Sequence, residues 1–329
     1  MSTLLAVRDL KVRYPLASGF GLRVGNNPSF VDVVHGVSLD IKRGETLAIV
    51  GESGSGKTTL AMALCGLAPV FGGEVLFNGQ KLEQDESRRL NPDRKRVALM
   101  FQDPVGSLSP RMTIRKILAE PFFIHKVRAQ HSDQEALRLL SLVGLGEDVA
   151  DRYPHQLSGG QARRVGVARA VALKPDLLIA DEPTAGLDVS IQGEVLNLLA
   201  RLQEDMGLGI MLITHNLHVV RHVADRMAIM YLGRFIEQGD SQQIFSRPRH
   251  PYTAALLSAN PSPDPDAKPD RIELLGEVPS LLQRPAGCEF HTRCPRVQDQ
   301  CMSSFPGLSA GAGNQTFNCF FPMNQESAR

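Results

Sequence analysis

The stretch Thr46-Leu47-Ala48-Ile49-Val50-Gly51-Glu52-Ser53-Gly54-Ser55-Gly56-Lys57-Thr58-Thr59-Leu60-Ala61-Met62-Ala63-Leu64 decides the fold. An apolar run of strand length enters a turn containing three glycines, and a Lys-Thr pair then opens a helical sequence. Residues 51–58 satisfy G-x-x-x-x-G-K-[ST] between a strand and a helix, the context that gives this pattern its meaning. The glycines let backbone N–H groups face phosphates at a helix N-terminus. Lys57 adds a cation near β- and γ-phosphates, and the Thr58 hydroxyl is placed to ligate Mg²⁺.

Working outward, further apolar runs of strand length are Val97-Ala98-Leu99-Met100-Phe101, Leu177-Leu178-Ile179-Ala180 and Ile210-Met211-Leu212-Ile213. Longer helical patterns separate them, which is the rhythm of a mostly parallel sheet with crossover helices, and each strand is expected to be buried on both faces. Ser132-Asp133-Gln134-Glu135 reads as a capping box opening a helix with Leu137, Leu140 and Val143 on one face. That helix belongs to a mainly helical insertion at about 104–170. A second helix, about 191–204, carries Val195, Leu198, Leu199 and Leu202 at helical spacing. The expected class is α/β, a P-loop NTPase with a helical subdomain and a small C-terminal extension containing cysteines.

Composition narrows the partners. The chain has 329 residues, 43% hydrophobic and 22% charged, enough apolar material for one large domain and an appendage. With 36 Lys+Arg against 35 Asp+Glu there is no basic excess to suggest a nucleic-acid partner. The uncharged runs Thr58 to Gly73 and Gln300 to Gln325 are too short or too polar to be membrane spans. The opening residues lack an export signal, so a cytoplasmic chain is expected. Glycines, asparagines and a proline between Leu16 and Phe30 read as a loop insertion. The Pro/Asp-rich segment 260–270 reads as a linker, dividing a domain at 1–259 from an extension at 271–329.

Downstream of the phosphate loop, Leu177-Leu178-Ile179-Ala180-Asp181-Glu182 ends a buried strand with two carboxylates. An apolar run ending in Asp-Glu is by itself an ordinary strand end; paired with a phosphate loop it supplies what hydrolysis needs. Asp181 would hold Mg²⁺ and Glu182 would act as general base on the attacking water.

Between the two motifs stands Leu157-Ser158-Gly159-Gly160-Gln161, followed by the helical Ala162 to Ala170. Here the chain resembles the ATPases of ATP-binding-cassette (ABC) transporters, whose signature is this pentapeptide. Ser158 can cap the helix and the glycines admit backbone donors to a γ-phosphate. The resemblance implies that Ser158, Gly159, Gly160 and Gln161 serve the ATP of a partner subunit in a head-to-tail dimer. It also implies that Gly51, Glu52, Ser53, Gly54, Ser55, Gly56, Lys57, Thr58 and Thr59 bind the chain's own nucleotide. Gln102 matches the glutamine that senses Mg²⁺ and couples to the membrane subunit, and Asp188 lies in a loop that crosses the dimer interface. His215 matches the switch histidine that contacts γ-phosphate. Tyr14 is the candidate for stacking on adenine, with Phe20 as a competitor.

The resemblance narrows to the oligopeptide/dipeptide/nickel permease ATPases through Gln102 to Met112, Leu187 to Gln192, His250-Pro251-Tyr252-Thr253-Ala254-Ala255-Leu256-Leu257 and Gly287-Cys288-Glu289-Phe290-His291-Thr292-Arg293-Cys294-Pro295. Ala185-Gly186 stands where that family usually shows Ser-Ala, and Asn216 where Asp commonly follows the switch histidine. Cys288, Cys294, Cys301 and Cys319 offer four thiolates, enough for tetrahedral zinc or a [4Fe–4S] cluster. The spacing lacks a Cys-x2-Cys knuckle, which favours iron–sulfur over zinc, and the resembled family can carry such a cluster here; unmetallated thiols are the bland alternative.

The function implied is Mg-ATP hydrolysis energising a bacterial importer, with di- or oligopeptide as solute and nickel, glutathione or an opine-like compound as alternatives. The partners implied are a second ATPase subunit, two transmembrane permease subunits and an extracytoplasmic solute-binding protein, with the chain on the cytoplasmic face of the cell membrane. A soluble cassette protein acting on DNA or ribosomes is the rival. The interval from Lys57 to Asp181 leaves no room for the long coiled coil of chromosome-maintenance cassettes. A non-catalytic regulatory subunit is disfavoured because Lys57, Asp181, Glu182 and His215 are all present.

Overall fold

In a computed structural model the structure describes residues 2–16, 30–82, 95–103, 106–127, 132–260 and 271–323. Most of the glycine-rich insertion, with Phe20, and residues 261–270 of the expected linker lie outside these residues, as do Pro104 and Val105.

Along the chain come strands β1 (Thr3–Pro15), β2 (Phe30–Lys42) and β3 (Thr46–Val50), helix α1 (Lys57–Leu64), then β4 (Val70–Phe77), β5 (Gln80–Lys81) and β6 (Val97–Met100). Helices α2 (Ile114–Ile124), α3 (Ser132–Leu142) and α4 (Gly159–Val171) follow, then β7 (Leu177–Asp181), α5 (Val189–Met206), β8 (Gly209–Thr214), α6 (Leu217–Val223), β9 (Arg226–Tyr231) and β10 (Arg234–Asp240). The chain continues through α7 (Ser241–Ser246), α8 (Pro251–Ser258), α9 (Asp299–Ser303), β11 (Ser309–Ala310) and β12 (Thr316–Phe317). These elements divide into two compact units. The first comprises Met1–Ala6, Asp40–Thr46 and Leu76–Ile213; the second comprises Val7–Leu39, Leu47–Val75 and Thr214–Arg329.

In the first unit β6, β7 and β8 pair in parallel, with Met100 opposite Ala180 and Asp181 opposite Ile213. Strands β7 and β8 are buried throughout, as apolar runs in a parallel sheet should be. Strand β6 departs from that expectation: only Met100 is buried, because β6 is the last strand of its sheet and has β7 alone as a neighbour. Helices α2, α3 and α4 pack on one another, occupying much of the expected helical insertion. The face that α3 buries is Ala136, Leu139 and Leu140, continued at i+7 by Val143 just past its end, while Leu137 is half-exposed. Glu135 binds Arg138 at 2.8 Å, and the Ser132 side chain lies outside the described residues. Helix α5 buries Val195, Leu198, Leu199 and Leu202, the stripe its spacing predicts.

In the second unit β3 pairs in parallel with β9, and β9, β10, β12 and β11 continue antiparallel. Its core gathers Val50, Ile229, Tyr231, Ile244, Tyr252 and Phe290, with Leu274, Leu281, Cys288 and Cys294 packed against it. Residues from beyond the expected linker therefore share a core with β3 and β9. The His250-Pro251-Tyr252 motif makes the start of α8: the His250 Nδ1 accepts from the Tyr252 N–H at 3.1 Å, and Pro251 fits the first helical position, where no N–H is needed.

Complete burial holds the His250 imidazole down to about 3. A group depressed in the folded state contributes stability above its unfolded value near 6.5 and loses it as pH falls from there toward 3. Glu237 accepts the His250 N–H at 2.9 Å, and burial pushes its carboxyl up, so it titrates in the opposite sense. His250→Asn retains a capping acceptor and leaves that carboxylate in place. Urea unfolding at pH 7 and pH 5.5 should show the parent chain losing about 1 kcal/mol more than the variant over this interval.

Candidate active site

In the second unit, β3 delivers its last residue, Val50, directly into the turn at 51–56, and α1 begins at Lys57. The glycines are there for space and for angle. A Cβ on Gly51 would stand 2.3 Å from the Met230 carbonyl oxygen, and Gly56 has φ 104 with a Cβ position 2.9 Å from the Val33 carbonyl oxygen. The Lys57 ammonium, in a residue only 8% exposed, donates to the carbonyls of Gly51 and Glu52, both at 2.8 Å, and lies 3.3 Å from the Ser55 hydroxyl. The Ser55 carbonyl in turn accepts from the Gly233 N–H at 2.8 Å. Ser53, Gly54 and Thr58 are exposed and Thr59 is half-buried, so the outer rim of the turn faces solvent. Tyr14 is half-buried near the end of β1, and His215 is exposed just past the end of β8.

Asn216, which departs from the resembled pattern, does a local job. Its side-chain oxygen accepts from the His218 N–H at 3.0 Å and the Val219 N–H at 3.4 Å, capping α6 directly after His215. Asn and Asp cap helices about equally well, so the departure leaves the turn that presents His215 intact.

In the first unit the two carboxylates are buried at the end of β7, Asp181 4% and Glu182 9% exposed. Glu182 has φ 49, a left-handed conformation that a non-glycine residue adopts at a cost. Its N–H donates to the Ile213 carbonyl at 2.9 Å, which fixes the turn. Gln102 is exposed two residues beyond Met100, and Glu182 lies two beyond Ala180, the register partner of Met100. The two side chains therefore leave the same end of adjacent parallel strands. The signature region is built on a capping box: the Gln161 N–H donates to the Ser158 hydroxyl at 3.2 Å, and the Ser158 N–H donates to the Gln161 side-chain oxygen at 3.1 Å. Asp188 caps α5, accepting from the Ile191 N–H at 3.0 Å. A Cβ on Gly160 would meet the Ile191 side chain at 2.9 Å, so the small residues of the signature let α4 approach the start of α5.

Two contributors were not among the residues singled out from sequence. Buried Arg163 on α4 donates to the Pro183 carbonyl at 2.8 Å, tying the signature helix to the turn after Glu182. Arg293 donates to the Glu52 carboxylate at 2.8 and 3.1 Å, and the Tyr252 hydroxyl accepts the Glu52 N–H at 3.1 Å. Arginine inside a mostly apolar helix was the available signal for Arg163; none marked the pairing of Arg293 with Glu52.

The cysteine segment folds on its own backbone. The Cys288 N–H donates to the Cys301 carbonyl at 2.8 Å, and the Arg296 N–H points at the Cys294 sulfur at 3.4 Å. Burial, together with the neighbouring cysteines, pushes the Cys288 thiol up to about 11 and the Cys319 thiol up to about 12, and raises Cys294. Among the described residues no three His, Cys, Asp or Glu side chains are drawn together closely enough to hold a metal ion.

Comparison with known proteins agrees with this geometry. Residues 34–185 match the ABC transporter family, and residues 236–301 match the oligopeptide/dipeptide transporter C-terminal region. The dipeptide transport ATP-binding protein DppF of Escherichia coli is 44% identical over 96% of this chain and 94% of its own length. The chain belongs to the ATP-binding subunits of oligopeptide/dipeptide ABC transporters. It is an ABC-type ATPase. The oligopeptide transport ATP-binding protein AppF of Bacillus subtilis is also 44% identical, over 96% of this chain and 97% of its own. Among solved structures, cbiO1 from Clostridium perfringens, part of the transporter complex cbiONQ, aligns with TM-score 0.63 and 29% identity over 75% of this chain and 92% of its own. The dimeric post-hydrolysis state of the cassette MJ0796 bound to ADP and Pi aligns with TM-score 0.61 and 28% identity over 72% of this chain and 99% of that one.

The capping role of Asn216 gives a direct expectation. Asn216→Ala should cost about 1 kcal/mol in denaturant unfolding, and Asn216→Asp should stay within a few tenths of the parent.

Proposed function

We propose that this subunit hydrolyses Mg-ATP to energise uptake of di- or oligopeptides through partner membrane subunits. The observation that carries this reading is the buried Asp181-Glu182 pair, with Glu182 held in a left-handed turn, in a chain that also bears the phosphate loop at 51–58. In this reading Lys57 and the backbone N–H groups of the loop hold the β- and γ-phosphates. Glu182 takes a proton from the attacking water; the new oxygen–phosphorus bond forms as the bond to the β–γ bridging oxygen breaks, releasing ADP and phosphate. His215 contacts the γ-phosphate, Tyr14 stacks on the adenine, and Ser158 to Gln161 with Asp188 serve the nucleotide of a second ATPase subunit. The Thr58 hydroxyl, the Asp181 carboxylate and the Gln102 side chain offer the hard oxygen donors that suit Mg²⁺, which when bound neutralises charge building up on the phosphates.

Among the described residues no helix is long and apolar enough to cross a membrane, so translocation is assigned to two permease subunits, with a solute-binding protein delivering peptide. The chain would then sit on the cytoplasmic face of the cell membrane. The region from Gln102 to Met112 is assigned to contact with the permease. A cavity of about 220 Å³ lined by Leu99, Phe101, Ser107, His125 and Arg169 supports this, since it opens beside that region and leaves Phe101 in contact with solvent. In domain terms, 1–259 would be the ATPase and 271–329 the family-specific extension.

The extension is assigned an iron–sulfur cluster, with zinc as the alternative metal. The four cysteines lie in one segment, Cys301 buried and the others half-buried, and burial raises the Cys288, Cys294 and Cys319 thiols; a bound metal's positive charge is what would relieve those three. Anaerobically purified protein should contain iron and sulfide in equal amounts and show visible charge-transfer absorption. Zinc without iron would select the alternative, and neither metal would remove the assignment. For the ATPase reading, Glu182→Gln should leave ATP affinity within about twofold and lower turnover by at least about a hundredfold. Unchanged hydrolysis would take Glu182 out of the role of base.

A further inference from the structure

Glu52 is the second residue of the phosphate loop, and every part of it is held. Its carbonyl accepts the Lys57 ammonium at 2.8 Å, and its N–H donates to the Tyr252 hydroxyl at 3.1 Å. Its carboxylate receives both terminal nitrogens of Arg293, at 2.8 and 3.1 Å, in the two-pronged geometry that fixes orientation as well as distance. The first two holds come from the loop and the motif at 250–252. The third comes from the turn that precedes Cys294, more than two hundred residues away in sequence.

The pair is not a solvated surface contact. The Arg293 side chain is 8% exposed and that of Glu52 26%. Behind it stand Tyr231, Tyr252 and Phe290, all essentially buried, with ring centres 4.9 to 5.4 Å apart. The Arg293 backbone is fixed too: its N–H donates to the Phe290 carbonyl at 3.0 Å, and the His291 N–H donates to the Cys288 carbonyl at 2.9 Å. The guanidinium is thus presented from a short turn framed by Cys288 and Cys294. Without it, a carboxylate would stand uncompensated in a loop whose ligand is a polyanion.

We propose that Arg293 is a positioning residue for the phosphate loop: by binding Glu52 it holds the loop open to phosphates and cancels a charge that would repel them, so the cysteine-bearing extension sets the affinity for ATP. The inference rests on reading 51–58 as the phosphate loop. Arg293 touches neither nucleotide nor reacting atoms in this scheme; it acts through Glu52.

The test uses the full-length purified chain, with ATP and ADP affinities measured by titration calorimetry and steady-state ATPase measured in parallel. Arg293→Ala should weaken ATP and ADP binding about tenfold, raising KM for ATP while kcat stays within about twofold, and Glu52→Ala, which removes the repelling carboxylate along with the hold on the loop, should weaken binding by less. The double variant should be no weaker than either single one, and the exchange Glu52→Arg with Arg293→Glu should recover part of the loss. Arg293→Lys should recover less than half, because an ammonium cannot grip both oxygens. If Arg293→Ala does not fold, Glu52→Gln removes the charge pair from the other side without touching the extension and should still weaken binding. Additive losses in the double variant, or unchanged affinity in Glu52→Gln, would overturn the proposal. Lys57→Ala separates the two levels. If it keeps full ATP affinity, the phosphate-loop reading itself fails; if it loses affinity while the Glu52 and Arg293 variants keep theirs, only the role of Arg293 falls.

Discussion

A lysine ammonium that is nearly withdrawn from water has to be solvated by something, and in this chain backbone carbonyls of the phosphate loop do it. Lys57 reaches back to the Gly51 and Glu52 oxygens, and those oxygens are available only because the backbone between residues 51 and 56 bends back on itself. The bend requires glycine where the Met230 and Val33 carbonyls press close. A loop of this kind needs rigid walls. In the second unit β9, the turn at Gly233 and the aromatic trio Tyr231, Tyr252 and Phe290 supply them.

The first unit solves a different problem, which is to bury two carboxylates at a strand end without losing backbone hydrogen bonds. Glu182 takes a left-handed turn, and its N–H is recovered by the Ile213 carbonyl of the adjacent strand. Arg163 then fastens the next residue, Pro183, to the helix that carries the signature. The small residues at 159 and 160 and the cap at Asp188 bring the starts of α4 and α5 close together, so the signature and the loop after the carboxylates are one local structure.

Much of this was legible in sequence wherever a residue's role is set by its immediate neighbours. The strand, turn and helix at 46–64 and the stripe at 195, 198, 199 and 202 follow from periodicity and glycine placement alone, and the cap at Ser158 from its local motif. The failures have a common cause in what lies beyond the segment. Strand β6 reads like β7, but its place at the sheet edge exposes it, and no local pattern encodes place. Leu137 fits the helical spacing as well as Leu139; which face is buried was settled by the packing of α2 and α4 against α3. The pairing of Glu52 with Arg293 joins residues that only the fold brings together.

The short strand β12 lies along β10, with Phe317 opposite Glu237 and Thr316 opposite Gln238, and β11 closes the ribbon beyond it. An open strand edge is a template for pairing with other chains. By pairing with Glu237 and Gln238, residues 316 and 317 cover part of the β10 edge that would otherwise be open to another strand. Their contribution is protective as well as conformational: a nascent chain stalled before this ribbon would leave the β10 edge open to its neighbours, and the edge is covered only once residues 309–317 are in place.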